Sequence, residues 1–260
     1  MPAKPPDDSS ERITITHFRA TGDNYLAKSF SREPDGSIRK QSHAQFSRGV
    51  GWKHTLEDGL RSLPAFLEEL ESTDCIATGV FDCEKVKIVP DGSEIPTNSS
   101  LAVRHRTKKA MIQPVPGVAL FDHDRSPHMP DALRSSSPTE LMAKLCGAVP
   151  GLKGVPWVGR GSSSQGIYNK STGERYSTGG GIHVYVATNI TDLDALRQNL
   201  EVALWRAGLG YIEFARNGRR LPRTIIDLTV LSSERLIFEA APILGPGVGR
   251  TPPVWESSDD

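Results

Sequence analysis

The sequence predicts an α+β protein in two parts, and three observations carry that expectation. Short β-patterned runs and amphipathic helical stretches share most of the chain. Their character changes near residue 112. Both ends, 1–10 and 245–260, are rich in Pro, Gly, Ser and Asp, and bury too little apolar surface to offset ordering entropy. The expected division is a disordered tail at 1–10, an N-terminal α/β lobe at 11–112, a second lobe at 113–244 and a flexible linker at 245–260. A linker there leaves room for a helicase or other domain beyond residue 260.

In the first lobe, alternating Ile13, Thr14, Ile15 and Thr16 predict a strand over Arg12–Phe18. A helix is expected over Ser62–Leu70, with Ser62 as N-cap and Pro64 in the first turn, where a missing N–H is harmless. Strands at Cys75–Phe81 and Lys85–Val89 flank an acidic turn. In the second lobe, Gly117–Asp122 reads as a central strand. Ser137, Pro138 and Glu140 form a capping box opening a helix whose inner face is Leu141, Leu145 and Ala148. Val155–Val158 is a strand followed by a Ser/Gly loop, and Gly181–Thr188 alternates as another strand. Thr191–Asp194 caps a helix with Leu193, Leu196, Leu200 and Leu204 on one stripe. Arg223–Val230 completes the order β-α-β-β-α-β, the ferredoxin-like or RNA-recognition-motif pattern.

Composition excludes several classes. Among 260 residues, 31 basic and 31 acidic side chains sum to zero, which argues against coating nucleic acid by bulk charge. No apolar run approaches the roughly 20 residues a membrane span needs, and the start has no signal-peptide core. Cys75, Cys83 and Cys146 lack the spacing of a zinc ribbon or a disulfide framework. A cytoplasmic protein with no membrane partner and no zinc is expected.

The predicted topology places the first strand of the second lobe between the third and fourth. Its end then lies beside their starts, which brings Asp122 and Asp124, His183 and Asp227 to one sheet edge. Asp122 and Asp124, two apart in extended chain, project to the same face. Paired carboxylates repel, and a hard divalent cation shared with substrate phosphates relieves the repulsion. Asp227 would complete a two-metal arrangement with ions about 3.5–4 Å apart. Taken singly, a DxD pair is a common surface feature, and a strand histidine is more often a satisfied core residue than a ligand. Convergence carries the argument. The Gly159–Ser164 segment, with Arg160, Ser162 and Ser164, offers amides, hydroxyls and a guanidinium to phosphate oxygens, and the alternative is a plain surface loop. Thr178-Gly179-Gly180-Gly181 permits close backbone approach. Two basic groups, Arg104, Arg106, Lys108 and Lys109, and Arg216, Arg219, Arg220 and Arg223, are solvated faces or tracks for a template backbone.

These residues resemble the archaeo-eukaryotic primases, especially the primase-polymerases of plasmids, phages and integrative elements. The resemblance rests on Leu120-Phe121-Asp122-His123-Asp124, Gly181-Ile182-His183 and Ile226-Asp227, with 218–223 and 234–239 similar to the mobile-element branch, and spans roughly residues 115–243. It implies a template-directed nucleotidyltransferase, a primase or DNA polymerase acting on single-stranded DNA with nucleoside triphosphates. Asp122, Asp124 and Asp227 would hold two Mg²⁺ or Mn²⁺ ions. His183, Arg160, Ser162, Ser164 and Arg235 would bind the incoming triphosphate. The chain departs from the pattern at Gly181, where a serine is frequent.

Three rival readings remain. A DxD glycosyltransferase gives no reason for Asp227 and His183. A rolling-circle initiator needs a His-hydrophobic-His pair, which is absent. A non-catalytic RNA-recognition-type module wants exposed strand aromatics, for which Tyr185 is the candidate.

Overall fold

The computed structural model describes residues 12–22, 24–43, 45–96, 98–176 and 180–259; the expected tail at 1–10, and Thr178 and Gly179, lie outside them. The architecture is mixed α+β and rich in sheet. The first part contains β1 (Ile13–Ala20), β2 (Ser29–Arg32), β3 (Ile38–Gln41), β4 (Gly49–Leu56), α1 (Leu63–Glu68), β5 (Asp74–Ala77), β6 (Lys85–Val89) and β7 (Ala102–His105). The sheet order is β5-β1-β4-β6-β7, with β1 antiparallel to both neighbours. The α1 helix is shorter than expected, and Ser62 does not cap it. Ser62 adopts helical dihedrals at the end of a 3₁₀ turn, and its hydroxyl accepts the Asp58 N–H at 3.0 Å instead.

The second part comprises β8 (Gly117–His123), α2 (Pro138–Ala148), β9 (Trp157–Gly161), β10 (Ile167–Asn169), β11 (Ile182–Thr188), α3 (Leu193–Arg206), β12 (Gly210–Phe214), β13 (Arg220–Thr224), β14 (Ile243–Leu244), β15 (Val248–Arg250) and β16 (Trp255–Ser257). The Ser137 hydroxyl accepts the Glu140 N–H at 3.2 Å, so the cap on α2 forms as its sequence dictates. On α3 the cap is Asp192, whose carboxylate accepts from Ala195 N–H.

Strands run in the order β16-β9-β11-β8, all antiparallel. Ala119, Phe121, Ile182, Val184 and Val186 face α2 and α3, meeting Leu141, Leu145, Leu200 and Leu204 in one core. Each of those buried leucines contributes roughly 1.5–3 kcal/mol. The alternate residues, Val118, Leu120, Val158 and Tyr185, face the opposite way and share a second core with Ile13, Ile15, Leu56, Leu63 and Leu67. That core joins the two halves of the chain. A backbone bridge between Ile76 and Ile237, and the parallel pairing of β14 with β2, tie residues 237–244 to the first part.

The expected strand over Arg223–Val230 is not formed, and β8 is not flanked by a fourth strand. Residues 220–224 pair instead with β12 as a separate hairpin. After it the Thr224 hydroxyl donates to Ile226 O, the Asp227 carboxylate accepts from Thr229 N–H, and one 3₁₀ turn follows at Leu228–Val230. These local side-chain bonds compete with ladder pairing despite the β-branched run. What remains beside β8 is one backbone bond, Asp227 N–H to Asp122 O at 2.7 Å. Gly159, Arg160 and Gly161, expected in a loop, are strand residues. A Cβ at Gly159 would lie 2.9 Å from Pro138 Cβ, so glycine lets the start of α2 sit against the sheet. The segment 245–260, expected as a linker, carries β15 paired with β10 and β16 on the sheet edge.

Candidate functional site

The register across the sheet places Asp122 opposite His183, His183 opposite Arg160, and Arg160 opposite Trp255. With period-two alternation, these four side chains form one polar row on the face that meets the first part of the chain. Glu239, only 1% exposed, lies against the row and organises it. Its carboxylate accepts from His183 Nδ1, from the Tyr185 hydroxyl at 2.5 Å and from Arg160 Nη2 at 2.7 Å. Arg160 also stacks on the Trp255 indole, 4.8 Å from the ring centre, while the indole N–H donates to Glu68.

Electrostatics follow from this packing. Burial disfavours the His183 imidazolium, but Glu239 and Asp122 outweigh it and push the ring up to about 10. Burial likewise works against an ionised Glu239, yet His183, Arg160 and Tyr185 hold its carboxyl well below the usual range. His183 therefore presents a charged Nε2–H toward Asp122, 3.4 Å from Oδ1. That oxygen is buried and has no hydrogen-bond partner among the described residues.

Beyond Asp122 opens a cleft of 630 Å³, whose lining includes Lys28, Lys40, Asp124, Ser162, Ser164 and Asp227. Gly181 floors it: a Cβ there would sit 3.2 Å from Asp124 Oδ1 and 3.3 Å from Ser162 Oγ. The glycine where a serine was expected thus brings a carboxylate and a hydroxyl together. Partial desolvation, then Asp122 and Asp227 among nearby charges, raise the Asp124 carboxyl. Burial, then Lys40, lowers the Lys28 ammonium, against the pull of Glu239, Asp124 and Asp122. Ser164 Oγ is buried without a hydrogen-bond partner among the described residues. The β12–β13 hairpin also lines the cleft, with Tyr211, Glu213 and Arg223.

The donor set suits a hard cation: Asp124 is repelled by both Asp122 and Asp227, and Asp122 Oδ1 has no hydrogen-bond partner among the described residues. Among the described residues no three His, Cys, Asp or Glu side chains are already gathered around one metal position.

The other expected site residues lie elsewhere. Arg160 is committed to Glu239 and does not line the cleft. Arg235 is exposed on the turn before Ile237, close enough to Arg106 to oppose its charge. Arg104 pairs with Asp82, Lys108 with Asp194 and Arg223 with Glu213, while Arg106 donates to Glu234 O at 2.6 Å. Lys109, Arg216, Arg219 and Arg220 are exposed and have no carboxylate partner among the described residues. Tyr185, the candidate stacking aromatic, is fully buried. His123, between the two aspartates, is a bolt: Nδ1 meets Ile225 O at 2.6 Å and Nε2 accepts from Ser135 N–H.

Sequence reasoning did not assign Glu239 or Lys28 to the site. Glu239 stood within the 234–239 similarity, a usable signal; Lys28 had none. No helix of the described residues is long and apolar enough to cross a membrane. No protein-family model, curated protein or solved structure matches the chain.

Proposed function

We infer that this chain is a template-directed nucleotidyltransferase of the archaeo-eukaryotic primase kind, built as an N-terminal α/β lobe against a modified βαββαβ lobe, and acting in plasmid or phage replication. The observation that carries the reading is a cleft lined by Asp124, Asp227, Ser162, Ser164 and Lys28, with Asp122 held next to it by a backbone bond from Asp227 and near enough to Asp124 to raise its carboxyl. Carboxylates beside an anion-binding wall suit a triphosphate brought in with its cations.

Asp122, Asp124 and Asp227 would hold two Mg²⁺ or Mn²⁺ ions, which would lower the pKa of an attacking 3′-hydroxyl and offset charge on the leaving pyrophosphate. The chain's own part is positional. Ser164 Oγ, buried and without a partner among the described residues, donates to a phosphate oxygen. Lys28 supplies a compensating positive charge. His183, locked by Glu239, orients the Asp122 carboxylate from behind. The buried Tyr185 weighs against a non-catalytic base-stacking module.

The test supplies purified protein with single-stranded DNA, primed and unprimed, labelled ribo- or deoxyribonucleoside triphosphates, and Mg²⁺ or Mn²⁺. Incorporation is expected and should vanish with EDTA. Absence of incorporation on both templates with both metals contradicts the reading.

A further inference from the structure

A second cleft of 370 Å³ lies behind the wall of the first. The two share Arg125, and the wall between them is the β9–β10 turn with Gly180 to Ile182. Three arginines line the second cleft: Arg125, Arg175 and Arg250. None pairs with a carboxylate among the described residues. Arg125 donates to Ser135 O, Arg250 Nε reaches Gln165 O at 3.4 Å, and the Arg175 side chain makes no hydrogen bond or ion pair there. Glu256 is the one carboxylate among the described lining residues, and it already accepts the Thr139 N–H at 2.9 Å. Burial, then the charge of Arg160, lowers the Arg250 guanidinium, against the pull of Glu239. Tyr176 and Pro253 add apolar surface beside these charges.

Three guanidiniums without a carboxylate partner among the described residues therefore line one groove. The ligand that matches them carries several negative charges in line. A phosphodiester chain fits this. We propose that this second cleft binds the backbone of a single-stranded nucleic acid, continuing the strand's path past the first cleft. The identity of the ligand rests on the nucleotidyl-transfer reading; the presence of an anion-binding groove does not.

The test measures anisotropy of a labelled single-stranded oligonucleotide across a salt series, for the wild type, Arg175→Ala, Arg175→Glu and Arg250→Ala. A fluorescent nucleoside triphosphate is titrated in parallel. Each alanine should weaken oligonucleotide binding and lower the salt slope by about 0.7, and Arg175→Glu should weaken it further. Triphosphate affinity should stay unchanged. Arg175 is exposed, so its two variants decide the matter even where Arg250→Ala misfolds. Unchanged oligonucleotide affinity in both Arg175 variants, or loss of triphosphate affinity in step with it, overturns the proposal. Failure of strand synthesis alone strikes the enzymatic reading and leaves the groove standing.

Discussion

Glu239 shows how much one side chain sets here. Three buried donors converge on its two oxygens, so its removal strands a guanidinium and an imidazolium away from water. Breaking a buried pair from one side costs about 3–5 kcal/mol, well above the cost of an ordinary surface change. Glu239→Ala should therefore lower the free energy of unfolding by that amount in urea denaturation. A loss under 1 kcal/mol would mean that the network is not coupled to folding. Asp122 differs, because its Oδ1 has no hydrogen-bond partner among the described residues and its ionic neighbour, His183, keeps Glu239 as a partner when Asp122 is neutralised. Asp122→Asn should leave the melting temperature within a few degrees of the wild type while removing activity.

At the scale of elements, hydrogen-bonded joints hold the strands and helices in place. Ser137→Ala, which removes the N-cap of α2, should cost about 1 kcal/mol. Asp74 joins β1 to β5, accepting two bonds from Arg19 at 2.7 and 2.9 Å with His17 at 3.2 Å. Burial opposes its ionisation, but Arg19 and His17 prevail, and its carboxyl lies well below the usual range. A carboxylate depressed on folding contributes stability above its unfolded value, near 3.9, and loses it as pH falls toward the folded value. The stability difference between wild type and Asp74→Asn should thus be constant from pH 7 to about 5 and shrink below that. A difference that grows with acidification would reverse the sign. The β12–β13 hairpin carries Arg219 and Arg220 without carboxylate partners among the described residues, whereas Arg104 is engaged by Asp82. Substituting either hairpin arginine by alanine should reduce the salt dependence of template binding more than Arg104→Ala does.

Across the whole molecule, local signals were legible where they were sufficient. Ser137-Pro138-Thr139-Glu140 encodes its own helix start, and the apolar runs of β8 and β11 give those strands away. Their pairing carries Asp122 to His183. Side-chain competition was harder to read: Ile225, Ile226 and Leu228 suggest a strand, but Thr224 and Asp227 bond to nearby backbone and end it. Least legible were features decided by chain path. Glu239 and Lys28 reach the site through pairing of β14 with β2, and β16 completes a sheet from a segment of tail-like composition. Long-range pairing of short strands leaves no periodic trace. Net charge is equally opaque, since the zero sums a carboxylate cluster and separate arginine-lined grooves.

The central claim is that the carboxylates of the first cleft perform metal-dependent nucleotidyl transfer. Strand extension on a single-stranded DNA template with Mg²⁺ or Mn²⁺, comparing wild type with Asp122→Ala and Asp227→Ala of verified fold, tests it most directly. The account predicts extension by the wild type and none by either variant, and extension that survives either substitution would contradict it.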